Sequence, residues 1–233
     1  MLRQHLQRLR DAGCTVLPLS EALNRAAAIE LTGTYPVALT FDDGYAAVLE
    51  HAAPLLASYG WRGTVFPITD YVGRSNCWPG QPSGIPTDHL LGWSELRELA
   101  AAGWEVGAHS RTHPDLTSLD DHGLAAELLG AKAILEDHLG LAVAAFAYPY
   151  GRYDRRVRSH VERTYSVACT TTMRIARGAS DRYTLGRVDA WYFSRSLPAR
   201  FLASPGMEPY VALCRVARSG RAVLSEVTQS VGR

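Results

Sequence analysis

Three short polar motifs in the sequence carry side chains that could do chemistry. They are Thr-Phe-Asp-Asp-Gly at 40–44, His-Ser-Arg-Thr-His-Pro at 109–114 and Phe-Ala-Tyr-Pro-Tyr-Gly at 146–151. Imidazole nitrogen and carboxylate oxygen bind a divalent cation such as zinc, and a catalytic site keeps one position open for water. His109, His113 and one acid of the pair Asp42 and Asp43 therefore form a candidate metal site.

The two adjacent acids can divide the work of a metal-assisted hydrolase. Neighbouring side chains where a strand passes into a loop point in divergent directions, so one carboxylate can bind the metal while the other acts as general base. We assign Asp43 to the metal and Asp42 to the base. Taken alone, the same Asp-Asp-Gly sequence also fits a turn that follows a strand.

The spacing of His109 and His113 predicts that both imidazoles face the same way. Residues four apart share one side of a helical turn, and Pro114 limits the continuation of a helix beyond His113. Two histidines at this spacing also occur on ordinary solvated helix faces. The coincidence of both motifs with the ends of predicted strands favours the metal site.

The elements that must position these motifs alternate between apolar runs and amphipathic stretches. This rhythm predicts the α/β class, with an irregular (β/α) barrel of about seven strands. Each motif follows a predicted strand, and the carboxyl ends of parallel strands gather functional side chains. Strands are predicted at 14–17, 37–41, 63–67, 104–108, 143–147, 166–170 and 183–188. Helices are predicted at 2–10, 20–29 (capped by Ser20), 46–59, 93–102, 120–139, 154–163 and 208–218.

The length of 233 residues suits one domain over 1–233, with an N-terminal extension at 1–35 and a helical tail at 196–233. Residues 74–88 are rich in proline and glycine and predict a long functional loop. The four cysteines have no disulfide or metal-knuckle spacing, and we interpret them as thiols.

Net charge and hydropathy limit the classes of partner that the protein is expected to have. A formal charge of +1, from 24 basic and 23 acidic residues, argues against nucleic acid as a partner. No run of about 18 apolar residues predicts a membrane span, and no apolar run near Met1 predicts a signal peptide. We therefore expect a cytoplasmic protein, or a secreted one if the chain is a trimmed form.

The three motifs together resemble the signature of the polysaccharide deacetylases, the NodB-type domain of carbohydrate esterase family 4, over about 37–188. The resemblance implies that Asp42 is the catalytic base and that Asp43, His109 and His113 are metal ligands. The motif at 148–151 is similar to the family's third motif, which implies that the backbone N–H of Tyr150 helps to hold the oxyanion. The Phe-Ala-Tyr-Pro-Tyr-Gly version resembles a subgroup of the family.

The sequence departs from the family pattern beside the base. Many members carry an arginine two residues before the proline of the third motif, where this chain has Ala147. Support for Asp42 must then come from elsewhere, and we expect it from Arg187, which ends a predicted strand, rather than from Arg152. We also place Arg187 among the substrate-binding residues.

Two further departures concern the substrate and the acid. The segment Asp189-Ala190-Trp191 imperfectly resembles the fourth motif, and Trp191 is expected to wall the acetyl pocket, unless it is an ordinary core aromatic. The family's late histidine is absent, since the last histidine is His160. The residue that protonates the leaving amine is therefore unidentified, with His89 and Asp115 as candidates.

These observations predict a metal-dependent hydrolase that removes an N-acetyl group from an N-acetylated sugar or small glycoconjugate. Zinc is the expected cofactor, with cobalt, nickel or manganese as alternatives. Two other readings stay open: an amide or formamide hydrolase that acts on a non-sugar substrate, and a catalytically silent carbohydrate-binding relative.

Overall fold

A computed structural model describes residues 1–26, 35–81, 84–193 and 206–217. Its strands are short and rich in apolar and β-branched residues, which suit a pleated surface that is buried on both faces. The described strands are β1 (Cys14–Leu17), β2 (Tyr35–Ala38), β3 (Thr40–Asp43), β4 (Thr64–Pro67), β5 (Glu105–Val106), β6 (Ala145–Ala147) and β7 (Val167–Cys169).

The pairings between these strands are all parallel. β1 pairs with β2, β3 to β5 form a sheet in sequential order, and β6 pairs with β7. Single parallel bridges from Ala108 to Phe146 and from Cys169 to Leu185 extend this order between and beyond the sheets. Sequential parallel strands with helices between them are typical of a β/α barrel. The predicted α/β class and irregular barrel are confirmed, although the described strands do not close into a complete hydrogen-bonded ring.

The helices begin and end where local chemistry favours it. A carboxylate oxygen of Asp120 accepts the N–H of Gly123, and one of Asp154 accepts the N–H of Val157, each at 2.7 Å, so both acids cap helices. Gly140 ends the longest helix with a φ of 66°, which glycine adopts without strain. The helices are α1 (Leu2–Asp11), α2 (Leu19–Ala26), α3 (Ala53–Ala57, preceded by the π-helical Val48–Ala52), α4 (Trp93–Ala101), α5 (Asp121–Leu139), α6 (Arg155–Thr164) and α7 over 207–217.

One large apolar core joins the strands to the helices that cover them. Val65 and Phe146 contribute from the sheet, Leu96 from α4 and Leu128 from α5, and each is almost fully buried. Leu6 of α1 belongs to the same core, so the predicted N-terminal extension packs onto the barrel. Burial of one such side chain stabilises the fold by about 1.5–3 kcal/mol. This core fixes the strand ends that carry the polar motifs.

Two of the predicted strands were wrong in detail. The strand predicted at 37–41 is two strands, because the Leu39 carbonyl accepts the N–H of Thr64 at 2.9 Å and the chain thereby changes partner from β1 to β4. The segment predicted at 183–188 makes only the Leu185 bridge. At Gly186 the chain passes so close to Thr172 that an added Cβ would lie 2.8 Å from the Thr172 carbonyl oxygen.

The second predicted helix was also wrong at its start. α2 begins at Leu19, and the Ser20 hydroxyl binds Glu105 of β5 instead of capping the helix. Its predicted end at 27–29 lies outside the described residues. The predicted helix at 208–218 is found over 207–217, while 196–205 and 218–233 of the predicted tail lie outside the described residues, as do 82–83 of the predicted loop.

Two further expectations concern thiols and membranes. The four cysteines are free thiols, with Cys14 and Cys169 buried, as predicted. Within the described part of the chain, no helix combines the length and apolarity needed to cross a membrane.

Candidate metal centre

Three side chains converge at the carboxyl ends of the central strands. Asp43 is the last residue of β3, and His109 follows the parallel bridge at Ala108, which continues the line of β5. The Asp43 Oδ1 lies 3.4 Å from the His109 Nε2 and 3.8 Å from the His113 Nε2. One ligand atom of each residue lies within 4.8 Å of the other two. The structure therefore brings together the three predicted ligands.

The distances fit a shared cation better than direct hydrogen bonds. An N–H···O bond spans about 2.7–3.2 Å, which is shorter than either imidazole–carboxylate distance. Two ligands that each lie about 2.1 Å from a tetrahedral ion are about 3.4 Å apart, close to the distances found here. The donor set of two imidazoles and one carboxylate also matches a catalytic zinc site. The residues present thus fit a divalent metal ion.

The pKa shifts of His113 and Asp43 also favour a bound metal ion at this centre. Burial, together with the neighbouring His109, lowers the pKa of His113 to about 3, so its imidazole is neutral and available as a ligand. Burial raises the pKa of Asp43, partly offset by His109, because an uncompensated carboxylate is disfavoured there. A bound cation would supply the missing compensation.

The ring of His109 is oriented by the neighbouring strand. Its Nδ1 donates a hydrogen bond to the Ala147 carbonyl of β6 at 2.7 Å. A proton held at Nδ1 leaves Nε2 free to bind a metal, which is the usual arrangement of ligating histidines. His109 is almost fully buried, so this orientation is protected from solvent.

The predicted helical turn between His109 and His113 is wrong. Residues 109–114 form an irregular loop, and both Ser110 and His113 have positive φ values of 63° and 60°. Left-handed residues cannot continue a right-handed helix. The buried Ser110 hydroxyl accepts the N–H of His113 at 3.0 Å and closes the loop. This turn, and not helical periodicity, returns the second imidazole toward Asp43.

Glu127 of α5 holds the same loop from outside, which the sequence did not reveal. Its carboxylate accepts the N–H of Arg111 at 2.7 Å, the N–H of Thr112 at 3.0 Å and the Thr112 hydroxyl at 2.7 Å. The Arg111 guanidinium in turn binds both oxygens of Asp70 at 3.1 and 2.9 Å. Glu127 and Asp70 lie in separate elements with no motif around them, so no local signal marks them.

Asp42, the neighbour of Asp43 in the chain, forms a bidentate pair with Arg187. The Arg187 Nη1 and Nη2 bind the two Asp42 oxygens at 2.6 and 2.7 Å. The remaining guanidinium donors reach the Thr40 hydroxyl at 3.1 Å and the Thr170 carbonyl at 3.0 Å. Burial opposes ionisation of Asp42, but the charge and hydrogen bonds of Arg187 outweigh it and lower the pKa of the carboxyl. Asp42 is thus ionised, and its bidentate pair with Arg187 fixes the orientation of the carboxylate.

Arg187 occupies the position expected of a group that orients the base. Its donors reach Asp42, the Thr40 hydroxyl and the Thr170 carbonyl, while its role in orienting a base and its contact with substrate stay predictions. Arg152, the alternative support, instead pairs with Asp115 at 2.7 Å.

Backbone strain is concentrated at this site. Among the described residues, the non-glycine residues with positive φ are Asp43, Ser110, His113 and Tyr150. Such conformations are sparsely populated and persist where the surrounding structure imposes them, typically at functional sites. The φ of 67° at Asp43 turns its carboxylate toward the histidines while Asp42 faces Arg187.

The predicted oxyanion residue lies beside His113. Tyr150 belongs to a single 3-10 turn, Pro149–Gly151, and its ring centroid lies 4.5 Å from that of His113. The turn requires Gly151, because a Cβ there would lie 2.1 Å from the Thr171 hydroxyl. The position suits an oxyanion donor, which stays a prediction.

The other predicted residues lie in varied surroundings. Trp191 is 48% exposed on the 3-10 turn Ala190–Phe193, with its ring edge-on to Tyr192. This exposure excludes the reading of Trp191 as a core aromatic, and its role as a wall of the acetyl pocket stays a prediction. Hydrogen bonds from Thr117 and Arg152 lower the pKa of Asp115, which therefore holds a proton poorly. His160, the last histidine of the chain, lies with its Nε2 3.3 Å from an oxygen of Asp121, the first residue of α5.

Comparisons with known proteins point to one family. Residues 31–167, more than half of the chain, match the family model described as polysaccharide deacetylase. The chain is 26% identical over 185 residues to YxkH of Bacillus subtilis, across 79% of this chain and 62% of that protein. It is 36% identical over 121 residues to chitin deacetylase 1 of Cryptococcus neoformans, across 52% of this chain and 22% of that protein. The chain thus spans less than two thirds of the length of these relatives.

Solved structures share the fold. The Streptococcus pyogenes deacetylase PplD, solved in complex with acetate, is 27% identical with a TM-score of 0.68, across 80% of this chain and 78% of that one. IcaB from Ammonifex degensii is 28% identical with a TM-score of 0.65, across 81% of this chain and 84% of that one. The likeness extends over about four fifths of this chain.

Proposed function

The chain belongs to the polysaccharide deacetylase family, and from this premise we propose that it is a metal-dependent hydrolase that removes an N-acetyl group from an N-acetylated sugar. The observation that carries the proposal is the pairing of two sites. Asp43, His109 and His113 converge as a ligand set, and Asp42 stands beside them as an ionised carboxylate held by Arg187.

The metal would be held by Asp43, His109 and His113. A divalent cation bound there supplies a Lewis acid that polarises the acetyl carbonyl and makes water more acidic. Zinc is our first choice because the two imidazoles and one carboxylate resemble known catalytic zinc sites, while cobalt, nickel and manganese accept the same donors.

The remaining chemistry belongs to residues of the chain. Asp42 accepts a proton from the attacking water, whose oxygen forms a bond to the acetyl carbon. Arg187 keeps the Asp42 carboxylate ionised and fixes its orientation, because its guanidinium N–H groups bind both carboxylate oxygens at once. The N–H of Tyr150 donates to the oxygen that gains negative charge, a contribution of about 2.7–4 kcal/mol for one well-placed donor. The C–N bond then breaks as the two protons of the attacking water pass to the leaving nitrogen, and acetate and a protonated amine leave.

The proposed substrate class rests on the relatives and on the openness of the site. The Cryptococcus neoformans relative is named a chitin deacetylase, and the PplD structure holds acetate. The side chains of Asp42 and Asp43 are 31% and 22% exposed, so a substrate can reach both carboxylates from solvent. The partly exposed ring of Tyr150 borders the same opening and offers an apolar face to a sugar.

The test is acetate release from a panel of N-acetylated sugars and non-sugar amides, with and without a chelator. We expect release from a sugar that stops when the chelator strips the metal and resumes when Zn²⁺ is restored. Asp43→Ala should lose metal and turnover together, whereas Asp42→Asn should lose turnover and keep the metal. Undiminished turnover in the chelator, or sugar binding without any acetate release, would contradict the proposal.

A further inference from the structure

The two histidines of the centre are held in different ways. His109 donates its Nδ1 proton to the Ala147 carbonyl at 2.7 Å, as metal-binding histidines generally do. The Nδ1 of His113 is buried and has no hydrogen-bond partner among the described residues. Something other than a hydrogen bond from the protein must therefore set the orientation of the second imidazole.

The aromatic rings of Trp78 and Tyr150 pack against that imidazole. The ring centroid of Trp78 lies 5.0 Å from that of His113, and the ring of Tyr150 lies 4.5 Å from it. The interplanar angles of 48° and 69° are tilted and edge-on, which are favourable geometries for aromatic pairs. These contacts favour the observed orientation of the imidazole.

Trp78 is itself fixed in a small core of its own. It is 6% exposed and packs with Ile68 and Leu90, with Tyr71 edge-on to it at 5.8 Å. Ile68 directly follows β4, so this core is anchored to the same strand ends as the metal ligands. Trp78 is therefore a rigid surface for the imidazole.

Asn76 anchors the loop that carries Trp78. Its side chain donates to the Pro86 carbonyl at 3.0 Å and to the Tyr45 hydroxyl at 3.2 Å, and accepts the N–H of Asp88 at 2.7 Å. Asn76 is almost fully buried, and these three bonds tie the two ends of the loop together. The hydrogen bonds of Asn76 thus hold the part of the loop that presents Trp78 toward the centre.

We propose that Trp78 is a positioning residue for the metal ligand His113, and that its ring does by packing what the Ala147 carbonyl does for His109 by hydrogen bonding. The inference rests on the proposed function, because it takes His113 to be a ligand. It assigns the loop between β4 and α4 a part in metal affinity, although that loop supplies no ligand.

The experiment compares Zn²⁺ affinity in Trp78→Phe, Trp78→Leu and wild-type protein, by competition with a chromophoric chelator. Trp78→Leu should lower the affinity about 10- to 100-fold, the range found when outer groups that orient ligands are removed. Trp78→Phe keeps an aromatic face and should retain most of the affinity. The visible spectrum of the Co²⁺-loaded proteins should change in Trp78→Leu and stay close to wild type in Trp78→Phe.

A matched control comes from another tryptophan–histidine pair. Trp93 stacks on His138 at a centroid distance of 3.9 Å, and neither residue belongs to the centre. Trp93→Leu should leave Zn²⁺ affinity unchanged. Thermal unfolding of each metal-free variant checks the fold, and Trp78→Met supplies a second non-aromatic variant should Trp78→Leu fail to fold.

The outcomes separate the two proposals. Wild-type protein that binds no Zn²⁺, or His113→Ala protein that binds it undiminished, defeats the proposed function and this inference with it. Wild-type binding that depends on His113, combined with equal affinity in a folded non-aromatic Trp78 variant, overturns the role of Trp78 alone. An equal loss in Trp93→Leu would also overturn it.

Discussion

Arg187 binds both carboxylate oxygens of Asp42 across 145 residues of chain, at 2.6 and 2.7 Å. The sequence predicts that Arg187 supports Asp42, because Ala147 stands at the position where the family resemblance implies an arginine, and the structure places the guanidinium of Arg187 against the Asp42 carboxylate. Because the side chains of both partners are largely shielded from solvent, the pair is screened less than an exposed ion pair. The Asp42 carboxylate is therefore held by a residue that lies far from it in the sequence.

Replacing Arg187 should disable the base without emptying the metal site. Arg187→Ala removes every described donor to Asp42, and we expect kcat/KM to fall by roughly 100-fold or more, in the range of a lost general base. Arg187→Lys should recover little, because one ammonium cannot reproduce the fork. The measurements are steady-state kinetics and metal content by elemental analysis.

The matched control for Arg187 is an exposed ion pair. Arg177 contacts Glu208 at 2.7 Å with both side chains largely in solvent, and Arg177→Ala should leave kcat/KM unchanged. Turnover in Arg187→Ala equal to that of wild-type protein would remove Arg187 from the mechanism.

Binding of Zn²⁺ should stabilise the fold through Asp43. At a free concentration 100 times the dissociation constant, a ligand that binds only the folded state adds about 2.7 kcal/mol. In a chain of this size each kcal/mol raises Tm by about 2–4 °C, so a shift of about 5–11 °C is expected. Thermal unfolding with and without Zn²⁺ measures it.

Variants at Asp43 and Asp42 show which of the two acids is needed for the Zn²⁺-dependent rise in Tm. Asp43→Ala should abolish the Zn²⁺-dependent shift, because it removes the carboxylate that both imidazoles approach. Asp42→Asn should keep most of it, because Asp42 faces Arg187. A full shift in Asp43→Ala would show that Zn²⁺ binds elsewhere.

The parts of the site that sequence could predict are those encoded by short motifs at strand ends. Asp43 ends an apolar strand and His109 follows one, so the parallel β/α rhythm already placed them at one edge. The conformation of the loop between the two histidines could not be predicted from such motifs. Its turn depends on left-handed Ser110 and His113, and nothing in the local pattern distinguishes that turn from the helical turn we predicted.

The supporting residues could not be predicted for a different reason. Glu127 lies in the middle of α5 and Trp78 in the loop before α4, so their functional contacts depend on tertiary packing rather than on neighbours in the chain. Arg187 was proposed because it ends the strand predicted at 183–188, although that segment forms only the isolated bridge at Leu185. Long-range partners of this kind become visible only when the barrel is assembled.

Glu127 should stabilise the loop that joins the two histidines. Glu127→Ala leaves the N–H groups of Arg111 and Thr112 and the Thr112 hydroxyl without their common acceptor. Loss of an acceptor for partly buried donors costs about 1–3 kcal/mol, so we expect the free energy of unfolding to fall by about that amount in urea titrations of the metal-free protein. The exposed Asp137 of the same helix provides the control, and Asp137→Ala should change stability little. Equal unfolding midpoints for Glu127→Ala and wild-type protein would mean that the loop keeps its turn without the carboxylate, and that the Ser110 hydroxyl alone is enough to close it.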